Sequence, residues 1–409
     1  MEKEIFAKID SYLDYALYLQ AGLTAIPALD PASGGQGEYD KAQWIEAELR
    51  KLKFDKIFRV DAPQKEAKNG MRPNIIARYN GQDSTKTLWI MTHLDVVPPG
   101  EMSSWKTNPY KMERVGNKIY GRGVEDNQQG MVASIIMLKA FMELGLRPSC
   151  DVALLLNADE ETGSTYGAEY VLKQRPDLFG KNDSFIVPDG GRPDGSLAEV
   201  AEKSILWLKI RTQGKQVHAS MPQLGRNAFK AASEMAVKLG SLYKLFKAKD
   251  KLFVPPFSTF EPTKKEANVP NVNTIPGDDV FYLDCRVLPQ YHLCDVHAEI
   301  AKIARAIEKK HGVTVEISAV QEAQAAPATS ADSAVVRAVI EGVKTVYGTT
   351  AKPGGIGGGT VAACFRRHNL PAIVYSKLDE AAHMPNEYCI IDNMMGDAKV
   401  FAHTALNMK

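Results

Sequence analysis

Three short strings carry histidine and carboxylates in an arrangement suited to holding metal ions: MTHLDVVPPG at residues 91–100, GRGVEDNQQG at 121–130 and NADEETGS at 157–164. Each follows or adjoins an apolar, strand-like run. His93, Asp95, Asp126, Glu160 and Glu161 are therefore expected at strand ends or in loops rather than on a solvated helix face. His93 and Asp95 are two apart and share one side of an extended chain. An imidazole that ligates metal needs its second ring nitrogen held, commonly by a carboxylate, which casts Asp95 as the support of His93. Asp126 lies among Gly121, Gly123 and Gly130, which let the backbone turn sharply toward a site, and one carboxylate can bridge two cations. Glu160 and Glu161 are adjacent after the apolar run 152–156. Buried charge there is costly without compensation, and if one of the two ligates metal, the other stands close to the attacking water as a general base.

Two residues outside these strings extend the set. Asp189 closes the strand-like FIVP and precedes Gly190 and Gly191, and His383 in EAAHMPNEY follows another strand-like run at 372–375. Two histidines and three carboxylates, with no cysteine among them, suit a pair of hard-to-borderline divalent cations, zinc first and cobalt or manganese otherwise.

The elements that must position these residues alternate along the first part of the chain. Helical patterns at 4–19, 40–52 and 130–144 are interleaved with strand patterns at 74–79, 87–91, 152–156 and 185–187. Such alternation predicts an α/β fold, a mixed and mostly parallel sheet flanked by helices. Ligands bind beyond the carboxyl ends of strands in sheets of this kind, where His93, Glu160 and Asp189 fall. The rhythm changes over residues 197–321, where strands at 205–212, 280–287 and 313–318 enclose helices at 227–246 and 296–310. This block reads as an inserted α+β domain, because helix and strand patterns resume at 333–346 and 372–375. The catalytic layer is then discontinuous, made of residues 1–196 and 322–409.

Composition narrows the classes of partner. The 409 residues exceed what one hydrophobic core ordinarily serves. With 50 basic against 49 acidic residues, the chain has no broad charge bias toward nucleic acid or an anionic membrane. Five cysteines without a CxxC pair suit a reducing compartment and offer no ribbon or redox motif. The opening MEKEIFAKID lacks a basic segment followed by an apolar core, and no apolar run is long enough to span a bilayer. The expectation is a cytoplasmic protein acting on a small molecule.

Taken together, the strings resemble those of the M20 family of metallopeptidases and amidohydrolases, which includes succinyl-diaminopimelate desuccinylase, acetylornithine deacetylase, aminoacylase, carboxypeptidase G2 and carnosinase-like dipeptidases. The likeness runs over essentially the whole chain, and five separated elements recur in the family's order and spacing. It implies a zinc-peptidase-like catalytic domain with an inserted lid and dimerisation domain. It further implies that His93 and Asp189 bind one metal, that Glu161 and His383 bind the other, and that Asp126 bridges them. By the same resemblance Asp95 orients His93, Glu160 is the general base, and the Asp126–Asn127 peptide is cis. In the inserted block, His218 of QVHASMP would reach the partner subunit's active site and stabilise the oxyanion, which implies a homodimer. Asn273 of PNVNTIPG and Arg286 of LDCRVLP would hold a substrate carboxylate, a task suited to the guanidinium fork, with Gly358, Gly359 and Thr360 closing around the same end. One departure stands out: the family often has lysine two residues after the bridging aspartate, and here Gln128 and Gln129 follow.

The expected activity is two-metal hydrolysis of an amide or peptide bond in a small carboxylate-bearing substrate, a dipeptide or short peptide before an N-acyl amino acid. A non-catalytic binding protein on the same fold would lack ligands or base, whereas every expected position is filled.

Overall fold

The computed structural model describes residues 1–408. The chain divides into two compact units: Met1–Val200 with Ala328–Gly354 and Val361–Lys409, and Ala201–Pro327 with Gly355–Thr360.

An eight-stranded sheet organises the first unit, in the spatial order Lys56–Arg59, Ile75–Tyr79, Cys150–Asn157, Asp83–His93, Ser184–Gly191, Ala372–Ser376, Leu197–Glu202, Lys352–Ile356. Its central strands run parallel: Asp83–His93 pairs with both Cys150–Asn157 and Ser184–Gly191, and the latter pairs with Ala372–Ser376. Antiparallel neighbours flank them. Cys150–Asn157 is buried at every position, as expected of a strand covered on both faces. Trp89, Phe185 and Phe365 pack in one core cluster, the last two stacked with ring centroids 3.9 Å apart. Parallel strands put their carboxyl ends on one edge of the sheet, so His93 and Asn157 lie directly opposite each other.

Several elements differ from the sequence reading, among them the sheet strands Lys56–Arg59, Leu197–Glu202 and Lys352–Ile356, which it did not include. The single helix expected at 4–19 is two, Glu2–Asp10 and Leu13–Thr24, with the Ser11 hydroxyl bonded to the Lys8 carbonyl at the break. The helix Ile391–Asn407 escaped the reading because it is buried on nearly every side and has no polar stripe to mark it. The strand Thr259–Lys265 was obscured by Pro262, which an edge strand tolerates.

The second unit is α+β. Its four-stranded antiparallel sheet runs in the order Thr259–Lys265, Asp278–Val287, Ser204–Gln213, Thr314–Ala323. Alternate residues of Ser204–Gln213 and Asp278–Val287 are buried, and Leu206, Leu208, Ile210, Phe281 and Leu283 pack against Ala228–Leu239 and Leu293–His311. Gly240 ends the first of these helices, which the sequence pattern had carried on to residue 246.

Candidate metal centre

Strand ends and the loops that follow them supply every donor of the site. His93 is the last residue of its strand and its side chain is fully buried. Asp189 lies near the end of the adjacent strand Ser184–Gly191. Glu160 and Glu161 follow Cys150–Asn157, Asp126 precedes the helix Gln128–Leu144, and His383 lies in the loop after Ala372–Ser376.

These residues form two triads with one member in common. His93 Nε2 lies 2.9 Å from Asp126 Oδ1 and 3.5 Å from Asp189 Oδ1. His383 Nε2 lies 3.1 Å from both Asp126 Oδ2 and Glu161 Oε2. Asp126 thus turns one oxygen to each imidazole. Within each triad the donor atoms all lie within 4.8 Å of one another, the spacing of ligands around a single ion. Glu160 stands outside both triads, and its carboxylate makes no hydrogen bond or ion pair among the described residues.

The electrostatics are those of a site short of positive charge. Burial and the facing Asp126 push Asp189 up to about 7, and burial and Asp189 raise Glu160 well above the carboxylate range. Burial likewise raises Glu161, against the hydrogen bond from His383. Burial disfavours charge on His93, but the hydrogen bonds to Asp126, Asp189 and Asp95 outweigh it and raise the ring well above its ordinary value. Hydrogen bonds to Asp126 and Glu161 bring His383 to about 10. Imidazole and carboxylate donors without thiolate, clustered around a shared carboxylate and deficient in cationic charge, fit a pair of divalent cations of the zinc, cobalt or manganese type.

Residues 89–407, a span that takes in both triads, match peptidase family M20/M25/M40. The chain belongs to that family. It is 36% identical over 406 residues to an uncharacterized metallohydrolase of Methanocaldococcus jannaschii, covering 95% of this chain and 98% of the relative. It is 24% identical over 329 residues to a succinyl-diaminopimelate desuccinylase of Verminephrobacter eiseniae, covering 80% of this chain and 79% of the relative. Human carnosine dipeptidase 1 has the same fold, with a TM-score of 0.76 at 19% identity over 100% of this chain and 98% of its own. As an M20 protein the chain is a metal-dependent hydrolase.

Around the two triads, buried side chains hold the loops through their backbones. Asp95 does more than support His93: the ring Nδ1 is 3.0 Å from the Asp95 carbonyl and 3.4 Å from its carboxylate, while the two carboxylate oxygens accept the amides of Glu160 and Glu161 at 3.1 and 3.0 Å. Asn127, after a cis peptide from Asp126, accepts from the His93 amide at 3.1 Å and donates to Asp189 Oδ1 at 3.2 Å. Glu387 accepts from the amides of Gly123, Glu125 and Asp126 and from Arg122. Glu125 returns the clasp by accepting from the amides of Asp379 and Ala381, in the loop that carries His383. Sequence reasoning named Asn127 only for the cis peptide, which the structure has, and missed Glu125 and Glu387. The signal was present, since both glutamates lie inside the ligand-bearing strings GRGVEDNQQG and EAAHMPNEY.

Glu387→Gln should weaken cation binding about 10- to 100-fold, the usual range for partners that orient ligands. Competition with a chromophoric zinc chelator measures this, and unchanged affinity would remove Glu387 from the assembly of the centre.

The two glutamines after Asp126 turn away from the donors into packing. Gln129 Nε2 donates to Ser376 Oγ, the Lys377 carbonyl and Asp397 Oδ2, and Gln128 Oε1 accepts from Thr24 at 3.0 Å. Both are buried; the Gln129 amide is hydrogen-bonded, while Gln128 Nε2 has no hydrogen-bond partner among the described residues.

The remaining residues singled out in the sequence belong to the second unit and form two groups there. Exposed His218 sits on the strand Val217–His218, paired with Thr274–Ile275, its Nδ1 2.8 Å from Ser220 Oγ. Asn273 is beside it, its carbonyl accepting from the Ala219 amide at 2.8 Å. In the other group, Arg286 grips Asp284 with Nε and Nη2 at 2.8 and 3.1 Å and donates from Nη1 to the Gly357 carbonyl at 2.8 Å. That bond ties Arg286 to the segment holding Gly358, Gly359 and Thr360, whose hydroxyl bonds Glu202. Three of the five guanidinium N–H groups are used in these contacts.

Proposed function

We propose that this chain hydrolyses the amide bond of a dipeptide or short peptide bearing a free carboxylate, with zinc as the native metal. The observation that carries the reading is the shared Asp126 carboxylate, with Glu160, an acid that neither triad uses, close enough to Asp189, His93 and Glu161 to feel their charges. His93 and Asp189 would hold one cation, Glu161 and His383 the other, and Asp126 both. Bound there, the cations would acidify water and polarise the scissile carbonyl. Glu160 would take the proton of the attacking water and deliver it to the leaving amine nitrogen. His218 would donate to the developing oxyanion in a partner subunit of a homodimer; in this chain its ring is exposed and its nearest polar partner is local. Asn273, Arg286 and the 358–360 segment would receive the substrate carboxylate. A cytoplasmic location accords with five cysteines that are all free thiols and with the absence, among the described residues, of a helix long and apolar enough to cross a membrane.

A second reading is hydrolysis of an N-acyl amino acid, favoured by the desuccinylase relatives. Dipeptides and N-acetyl, N-succinyl and N-carbamoyl amino acids, each assayed with zinc, cobalt and manganese, separate the two. Turnover of dipeptides, abolished by chelation and restored by metal, is the expected result. Turnover of N-succinyl substrates alone would replace the first reading by the second.

A further inference from the structure

Glu160, the proposed base, has no side-chain partner to aim it, so its direction must come from the main chain. Three consecutive amides fix that main chain. Glu160 and Glu161 donate to the two oxygens of Asp95, and Asp159 donates to Glu38 Oε1 at 3.2 Å. Asp159 itself has a left-handed backbone, φ +62°, which a side chain accepts only where its surroundings impose it. Its carboxylate is occupied in turn, by the Tyr166 amide at 2.8 Å and the Thr162 hydroxyl.

Glu38 is wholly buried and lies more than a hundred residues before the loop it holds. It is fastened by Arg72, also wholly buried, whose Nε donates to Oε2 at 2.5 Å and whose Nη2 pairs with Oε1. The rest of that guanidinium is committed to Asp30 Oδ2 and Gln64 Oε1, both at 2.8 Å. Four of its five N–H groups are thus engaged, Nη2 also lies 3.7 Å from Asp159 Oδ1, and the two-pronged grip holds Glu38 in one pose.

We propose that Glu38, clasped by Arg72, is a positioning residue for Glu160 and acts through the main chain at Asp159. The inference rests on the reading of Glu160 as the base. A carboxylate that must approach water and then a leaving nitrogen gains from having no partner of its own, provided its backbone is rigid; loss of an ångström of aim costs rate rather than binding.

The test uses full-length, zinc-loaded Glu38→Gln, which keeps the shape and the acceptor oxygen but loses the charge that Arg72 grips. With alanyl-alanine, or with an N-succinyl amino acid if that is the substrate, kcat should fall about 10- to 100-fold at unchanged KM and zinc content. In a Glu160→Asp background, where the aim is already lost, the same substitution should change kcat less than about twofold. Amide hydrogen exchange of residues 157–166 in the metal-free protein should speed up in Glu38→Gln, while residues 88–93 stay protected. Equal losses in both backgrounds, or unchanged exchange over 157–166, would overturn the proposal. Should Glu38→Gln fail to fold, Arg72→Lys keeps the charge without the fork and should produce the same pattern in milder form. An active Glu160→Gln would instead sink the assignment of the base and this inference with it. An inactive Glu160→Gln beside a fully active Glu38→Gln would sink the inference alone.

Discussion

Glu160→Gln should bind its full complement of zinc and turn over substrate about 10³-fold more slowly, a loss of roughly 4 kcal/mol in transition-state stabilisation. The amide copies the shape of the carboxylate and leaves the Glu160 backbone amide on Asp95 undisturbed. Glu160 contributes to neither triad, so cation binding has no reason to fall. Retained turnover, measured alongside metal analysis by mass spectrometry, would exclude Glu160 as the base. Lost zinc would make it a ligand.

Asp126→Asn should have the opposite signature. Each triad keeps one imidazole and one carboxylate but loses the charged group common to both, so zinc should leave both positions together. The fall in affinity should exceed the roughly 100-fold upper range for a residue that only orients a ligand. Asp189→Asn touches only the triad of His93 and should empty one position, with the triad of His383 still occupied. Equilibrium dialysis against zinc distinguishes the outcomes. If Asp126→Asn and Asp189→Asn lose the same amount of metal, Asp126 is not shared.

The parallel sheet and the donors at its strand ends were legible because they rest on short-range pattern. Apolar runs such as 152–156 announce buried strands, and a histidine or acidic pair just past such a run is anomalous enough to notice. The Ile391–Asn407 helix was not legible, since burial all round erases the stripe that marks a helix. Nor were Glu38, Arg72 and Glu387, for a different reason. Their work is done on backbone amides of segments far away in the chain, and an amide carries no residue type to read. Glu125 precedes Asp126 in the chain, yet its partners are the distant amides of Asp379 and Ala381. Arg286 was legible as a cation, but its engagement with Asp284 and the Gly357 carbonyl depends on strand register and loop packing that no motif records.

The reciprocal clasp of Glu125 and Glu387 also fixes when the centre comes into being. A chain emerging from the ribosome displays His93, Asp126, Glu161 and Asp189 long before residues 379–387 have been made. Until they arrive, the loop bearing Asp126 lacks the carboxylate that gathers its amides, and the second triad lacks its imidazole. Were the two triads to hold metal, the complete pair of sites would exist only once residues 379–387 had joined the strands that carry the other donors.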